Sequence, residues 1–230
     1  MLIIDWILLG SLIAAVLLYV LANLKNIKYL DGITALFFIP LSCFFIIRLL
    51  NNYLPDSNHI IFISCFAITF ISLREFFIWF NFHRLMKYAS QGLYLLNLIS
   101  WIQLYKTTFY IYRPSAIWTL IIIVLFAALF GFLCIMMGKD KLKYALTSIV
   151  PFILIGYLNY SAVISHINLH DFSTVVLLAG TLLLAADFVF YSIQTTKPIE
   201  MNRKLEHALR IGLITLAQFF ITASGLFMIK

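Results

Sequence analysis

A chain of 230 residues that is 63% apolar, 17% aromatic and only 11% charged, with a mean hydropathy of +1.03, is not an ordinary soluble domain, which is about 45–50% apolar and about 25% charged. Folding leaves roughly 30% of the surface of a chain this long exposed, so the apolar excess must face lipid; disordered, collagenous and disulfide-scaffold classes are excluded with it. The formal charge of +7 comes from Lys and Arg scattered through short loops with no basic run longer than two residues, which points to an anionic leaflet, at about 1 kcal/mol per basic residue, and away from nucleic acid.

Lipid supplies no hydrogen-bond partners, so a spanning segment must satisfy its own backbone as a helix or in a closed barrel. Continuous apolar runs of about 20 residues select helices. The first run covers roughly 2 to 23 and starts at Met1-Leu2-Ile3-Ile4-Asp5; without a basic leader or a small-residue cleavage site it reads as a retained span. The second, roughly 30 to 50, stops at the turn-forming Asn51-Asn52-Tyr53-Leu54-Pro55-Asp56, and the third and fourth cover roughly 59 to 82 and 88 to 109. Arg113-Pro114 opens the fifth, roughly 114 to 137, and Gly138-Lys139-Asp140-Lys141 separates it from the sixth, roughly 142 to 164. The seventh and eighth, roughly 172 to 194 and 205 to 228, flank Lys197-Pro198. The expected fold is therefore all-α: a polytopic transmembrane helical bundle of eight spans, with residues 1–230 forming a single transmembrane domain.

Cytoplasmic loops retain Lys and Arg. The odd-numbered loops hold Lys25, Lys28, Arg84, Lys87, Lys139, Lys141, Lys143, Lys197, Arg203 and Lys204, against Arg48, Lys106, Arg113 and Lys230 in the even loops and at the two ends. That bias puts the odd loops in the cytoplasm and both termini outside, in a multi-pass protein of the cell membrane, by expectation a bacterial inner membrane. Cys43, Cys65 and Cys134 are odd in number, far apart and inside apolar runs, a pattern of neither a disulfide framework nor a metal site. His166 and His170, with Asp171, fall in the sixth connection, but zinc generally needs three or four ligands and no metal is expected. No cofactor is expected either: phosphate-binding glycine loops and G-x-S-x-G settings are both missing.

Of the nine acids, only Glu75 and Asp187 lie deep inside runs. Ionisable groups at depth cost about 2.5–3.5 kcal/mol on insertion scales and usually mark function. Each lies seven residues from the end of its run, roughly 10 Å inside the same boundary, and the third and seventh runs point the same way. Two carboxyls facing one cavity can divide acid and base roles. The plainer alternative pairs Glu75 with adjacent Arg74, or with Arg210 on the eighth run. Neighbours on a helix point about 100° apart, so Arg74 and Glu75 are not both expected to face one lumen. Further polar candidates are Asn97, Ser100 and Gln103 on the fourth run, Tyr157 and Asn159 on the sixth, and Thr215 and Gln218 on the eighth. Most such groups are interhelical hydrogen-bond partners. Helical spacing lets Asn97 share a face with either Ser100 or Trp101.

Gly180-Thr181-Leu182-Leu183-Leu184-Ala185-Ala186-Asp187, followed by Lys197-Pro198-Ile199, is similar to a segment of the YhhN family of membrane lysoplasmalogenases. Leu216-Ala217-Gln218-Phe219-Phe220-Ile221, leading to Gly225, resembles that family's closing alanine-glutamine motif, and length and eight-span order agree. Elsewhere the chain departs from the pattern: Arg74-Glu75 stands for a glycine-aspartate, Ser100 for a histidine after Gly92-Leu93, Asp31-Gly32 for an early lysine-proline, and Ile214-Thr215 for tyrosines. The resemblance implies a lysophospholipid substrate, with hydrolysis of the sn-1 vinyl ether of lysoplasmalogens to a fatty aldehyde and a glycerophospho alcohol. Asp187 would be the catalytic acid or base and Glu75 its catalytic partner; Gln218, Asn97, Ser100 and Tyr157 would bind substrate or water. The competing readings are a non-catalytic lipid-binding or assembly protein and a small transporter. Pro40 and Pro151, inside the second and sixth runs, would be the remnant of a transporter-like repeat.

Overall fold

The computed structural model describes residues 7, 10, 11, 13–15, 17–19, 21, 37, 39–44, 47 and 48, all helical, and the continuous stretches 58–79, 84–108, 116–137, 142–196 and 203–227. Among the described residues every regular element is an α-helix, and none is a strand. In chain order these are α1 (Asn58–Trp79), α2 (Arg84–Thr108), α3 (Ala116–Met137), α4 (Leu142–Leu169), α5 (Phe172–Thr196) and α6 (Arg203–Phe227). They coincide with the third to eighth apolar runs. Four, not eight, contain a described stretch long and apolar enough to cross a membrane: Asn58–Ile78, Ser148–Leu169, Phe172–Ile193 and Leu205–Gly225. In α2 the reason is composition, because Lys87, Gln91, Asn97, Gln103 and Lys106 dilute its apolar residues. In α3 the apolar stretch is shorter, Ile117–Phe132. The first two runs fall largely outside the described residues.

Consecutive helices pack as hairpins, α1 on α2 and α5 on α6 most extensively, with α4 against α5, α2 and α3. α6 is the most enclosed span, 61% buried against 39% for α1. The α5–α6 contact depends on small residues. A Cβ on Gly180 would sit 2.8 Å from the Ile221 nitrogen and 3.1 Å from the Ala217 oxygen, so only glycine lets the two backbones approach this closely. Seven residues is close to two helical turns. Gly180 and Asp187 therefore share the face of α5 that meets α6, which gives the spacing of that segment a packing reason.

α4 continues beyond the predicted end of the sixth run. His166 lies inside the helix, and only His170 and Asp171 form the connection. His170 adopts φ 51° and its N–H donates to the His166 carbonyl at 2.9 Å, the left-handed cap of a helix end. His166 Nδ1 lies 3.0 Å from Thr174 Oγ1, and no metal-ligating cluster occurs among the described residues. Ile39, Cys43 and Ile47, each one turn apart, join the buried core with Leu98, Trp101 and Leu158.

Candidate functional site

Glu75 on α1 and Asp187 on α5 meet through arginine. Arg74 Nη1 donates to Glu75 Oε1 at 3.0 Å and lies 3.7 Å from Asp187 Oδ2. From α6, Arg210 Nη2 donates to both Glu75 oxygens, at 3.2 and 2.9 Å. All four side chains are buried, and Asp187 has no exposed surface. Contrary to the expectation from helical angles, Arg74 and Glu75 both reach the cluster. The guanidinium rides on a long apolar stem that bridges the 100° between neighbouring positions. One nitrogen touches both carboxylates, so their oxygens are no farther apart than the sum of 3.0 and 3.7 Å. That upper limit, set for Glu75 Oε1 and Asp187 Oδ2, reaches only the lower part of the roughly 5–9.5 Å of two-carboxylate hydrolytic pairs.

Depth follows from the span ends. Glu75 lies three residues before Ile78, Asp187 six before Ile193 and Arg210 five after Leu205, that is, about 5–9 Å inside one common boundary. Charged groups so placed at a span end cost less than at the midplane. The two guanidiniums are also stacked on aromatic faces. Arg74 Cζ is 4.2 Å from the Tyr94 ring centre and 5.6 Å from that of Tyr191, and Arg210 Cζ is 5.0 Å from Tyr191. Each such contact is worth about 0.5–2 kcal/mol.

The two carboxylates differ in their bonding. Glu75 accepts three N–H bonds from two arginines and is fixed as their counter-ion. Neither oxygen of Asp187 has a hydrogen-bond partner among the described residues; its nearest cation is the Arg74 nitrogen at 3.7 Å. Two positive and two negative side chains balance, which is how a buried ionic group remains tolerable.

A second polar centre lies deeper. Gln218, eight residues or about 12 Å along α6 from Arg210, accepts through Oε1 from Asn97 Nδ2 at 3.1 Å and from Trp101 Nε1 at 2.9 Å. Asn97 Nδ2 also donates to the Ala67 carbonyl at 2.7 Å. Gln218, Asn97 and Trp101 are fully buried, and the Gln218 oxygen already accepts two bonds. Its place is a lock between α2 and α6. Between the two possible partners of Asn97, the structure selects Trp101.

Ser100 donates to the Leu96 carbonyl of its own helix at 2.8 Å and joins neither centre. Tyr157 lines an apolar groove with Thr119, Ile123, Phe126, Gly156 and Tyr160, a lining that contains no member of the charged cluster. Asn159 ties α4 to α5, donating to the Ile155 and Thr181 carbonyls at 3.0 and 3.2 Å. Sequence reading missed Tyr94 and Tyr191. Their signal was helical spacing: Tyr191 is four residues after Asp187 and Tyr94 three before Asn97, each on the inward face of its helix.

The polar bonds have a common pattern. Arg210–Glu75, Arg74–Asp187, Asn97–Gln218 and Trp101–Gln218 all join the α1–α2 hairpin to the α5–α6 hairpin. Close backbone packing holds each hairpin together; long polar side chains span the seam between them. No family model, curated protein or solved structure matches this chain.

Proposed function

We propose that the chain is a multi-pass helical protein of the bacterial inner membrane that hydrolyses the vinyl ether of lysoplasmalogens at the charged seam between the two hairpins. The observation that carries this reading is the pairing of unlike carboxylates. Glu75 accepts three N–H bonds from two arginines, while Asp187, 3.7 Å from one of them, has no hydrogen-bond partner among the described residues. The substrate and reaction class are taken from the resemblance of the Gly180-to-Asp187 segment to YhhN lysoplasmalogenases. The seam's position 5–9 Å inside a span boundary suits a lipid whose sn-1 chain begins just below its head group.

In this reading Asp187, ionised in the resting cluster, first takes up a proton and then gives it to the vinyl carbon remote from oxygen. The C=C electron pair forms the new C–H bond and leaves an oxocarbenium cation, which the Asp187 carboxylate stabilises. Water adds to the cationic carbon and returns a proton to Asp187. The resulting hemiacetal collapses to fatty aldehyde and glycerophospho alcohol, so atoms and charge balance without a cofactor. Glu75 holds Arg74 and Arg210 in place. Gln218 and Asn97 act one level deeper, setting the hairpin register that the seam requires; Ser100 and Tyr157 take no part.

Purified protein in lipid nanodiscs, incubated with lysoplasmalogen, is expected to release aldehyde, and Asp187→Asn is expected to release none. Undiminished release by that variant removes Asp187 from the reaction.

A second reading, a non-catalytic lipid-binding protein, is favoured by one observation: all four charged side chains are buried and mutually neutralised. It is selected if the wild type binds lysoplasmalogen without turnover.

A further inference from the structure

Tyr94 projects from α2 into the seam, 4% exposed. Its ring carries the Arg74 guanidinium on one face at 4.2 Å and lies parallel to Phe188, at an interplanar angle of 5° and 6.4 Å between centres. Phe188 is the residue after Asp187, and Arg74 is the cation nearest to Asp187. The ring is thus held in the seam against Arg74, the cation nearest to Asp187, and against Phe188. Asp187, Arg74, Glu75 and Arg210 all lie within electrostatic reach of it.

The hydrogen-bonding inventory is complementary. The Tyr94 hydroxyl and both Asp187 oxygens are buried without a partner among the described residues. Buried polar groups are nearly always bonded, and one arginine lies against both the ring that bears this hydroxyl and the unpartnered carboxyl. A phenol has one O–H to donate, and an ionised carboxylate only accepts.

We propose that Tyr94 is a positioning residue for proton transfer at Asp187, donating its phenolic O–H to the carboxylate that forms when Asp187 gives up its proton. This rests on the hydrolase reading. While Asp187 is a neutral acid the donor gains little. Once the proton has moved to the vinyl carbon, a hydrogen bond to the new anion is charge-assisted. The interaction is stronger in the transition state than before it, and so accelerates the chemical step without tightening substrate binding. When the added water returns a proton to Asp187, the bond weakens and the acid is restored. Tyr94 exchanges no proton with the substrate, so the balance of the reaction is unchanged.

The test is kinetic, with stability measured alongside, on full-length protein in nanodiscs with lysoplasmalogen. Tyr94→Phe keeps the ring, its stack on Phe188 and its face toward Arg74. It is expected to lower kcat about 10- to 100-fold with KM and the thermal midpoint unchanged. Phe188→Leu removes the stack but keeps the hydroxyl; it is expected to lower the thermal midpoint and leave kcat within about twofold. Wild-type kcat in Tyr94→Phe, with Asp187→Asn inactive, overturns the role of Tyr94 and leaves the hydrolase reading standing. Equal losses of kcat in Tyr94→Phe and Phe188→Leu assign the effect to packing and also overturn it. A wild type without turnover overturns both.

Discussion

The Glu75–Arg210 pair makes a quantitative claim about the seam. At 2.9 Å between Nη2 and Oε2, and an effective dielectric of about 20, Coulomb attraction amounts to roughly 6 kcal/mol, set against several kcal/mol of desolvation per ion. Removing one partner forfeits the attraction and leaves the other charge buried, which costs about 3–5 kcal/mol. Arg210→Met leaves Glu75 with Arg74 at 3.0 Å, so its loss belongs at the lower end, about 3 kcal/mol. Glu75→Leu leaves two guanidiniums facing one carboxylate, and its loss belongs near 5 kcal/mol. The double variant Glu75→Leu/Arg210→Met keeps the balanced Arg74–Asp187 pair and replaces a buried ion pair with apolar groups. It is expected within about 1 kcal/mol of wild type or above it. Reversible unfolding of the four proteins in mixed micelles measures the cycle. If the double variant loses as much as the two single losses added together, the charges are not compensating one another across the seam, and the account of the cluster as a neutral buried unit is wrong.

Two further outcomes test the packing and the deeper lock. Gly180→Ala places a Cβ 2.8 Å from backbone on α6, so the hairpin must open, at about 2–3 kcal/mol. Gly156→Ala meets the Phe126 ring at 2.6 Å, a side chain that can swing aside, and is expected to cost under about 1.5 kcal/mol; thermal unfolding in detergent ranks the two, and the reverse order contradicts the assigned role of Gly180. Gln218→Leu strands the Trp101 indole N–H and removes both bonds to Asn97 and is expected to cost about 1–3 kcal/mol, whereas Trp101→Met/Gln218→Leu recovers part of that loss because the indole donor is gone and Asn97 Nδ2 keeps its bond to the Ala67 carbonyl. A double variant no more stable than the additive expectation would refute the bond across the seam.

Much of the fold was legible because lipid leaves so few options: apolar runs of span length between turn-forming residues gave α1 to α6 in order. The shared depth of Glu75 and Asp187 was legible too, since two acids at equal distance from span ends that point the same way lie at one level; that their helices bring them to one arginine was not. The end of α4 was not, because it is set by the left-handed conformation of His170, for which His carries no strong signal. Nor was the inward turn of both Arg74 and Glu75, because helical angles describe Cβ directions and not where a long side chain ends. Tyr94 and Tyr191 were hidden among 12 Tyr and 22 Phe, in spans where aromatic residues fill lipid-facing and buried positions alike. The same ambiguity made Tyr157 look like a cavity residue. With α4 apolar on most of its surface, nothing in its pattern separates the face toward the seam from the face toward the groove.

The placement of polar groups follows from how the hairpins are made. Within α5–α6, Gly180 and Ala217 bring backbones together and leave no room for long side chains. Between hairpins the separation is wider, and the residues that fill it are Arg, Glu, Asp, Gln, Asn and Trp. Every one of those bonds depends on both hairpins holding their register, so a shift of one hairpin along the other would break Arg210–Glu75 and Asn97–Gln218 together. The seam is consequently the part of the molecule that can exchange bonds without disrupting either hairpin's own packing. Asp187 sits there with acceptors to spare, two helical turns from the glycine that fixes its helix against α6. A rigid backbone behind a carboxyl without a hydrogen-bond partner among the described residues is the arrangement on which the proposed proton transfer relies.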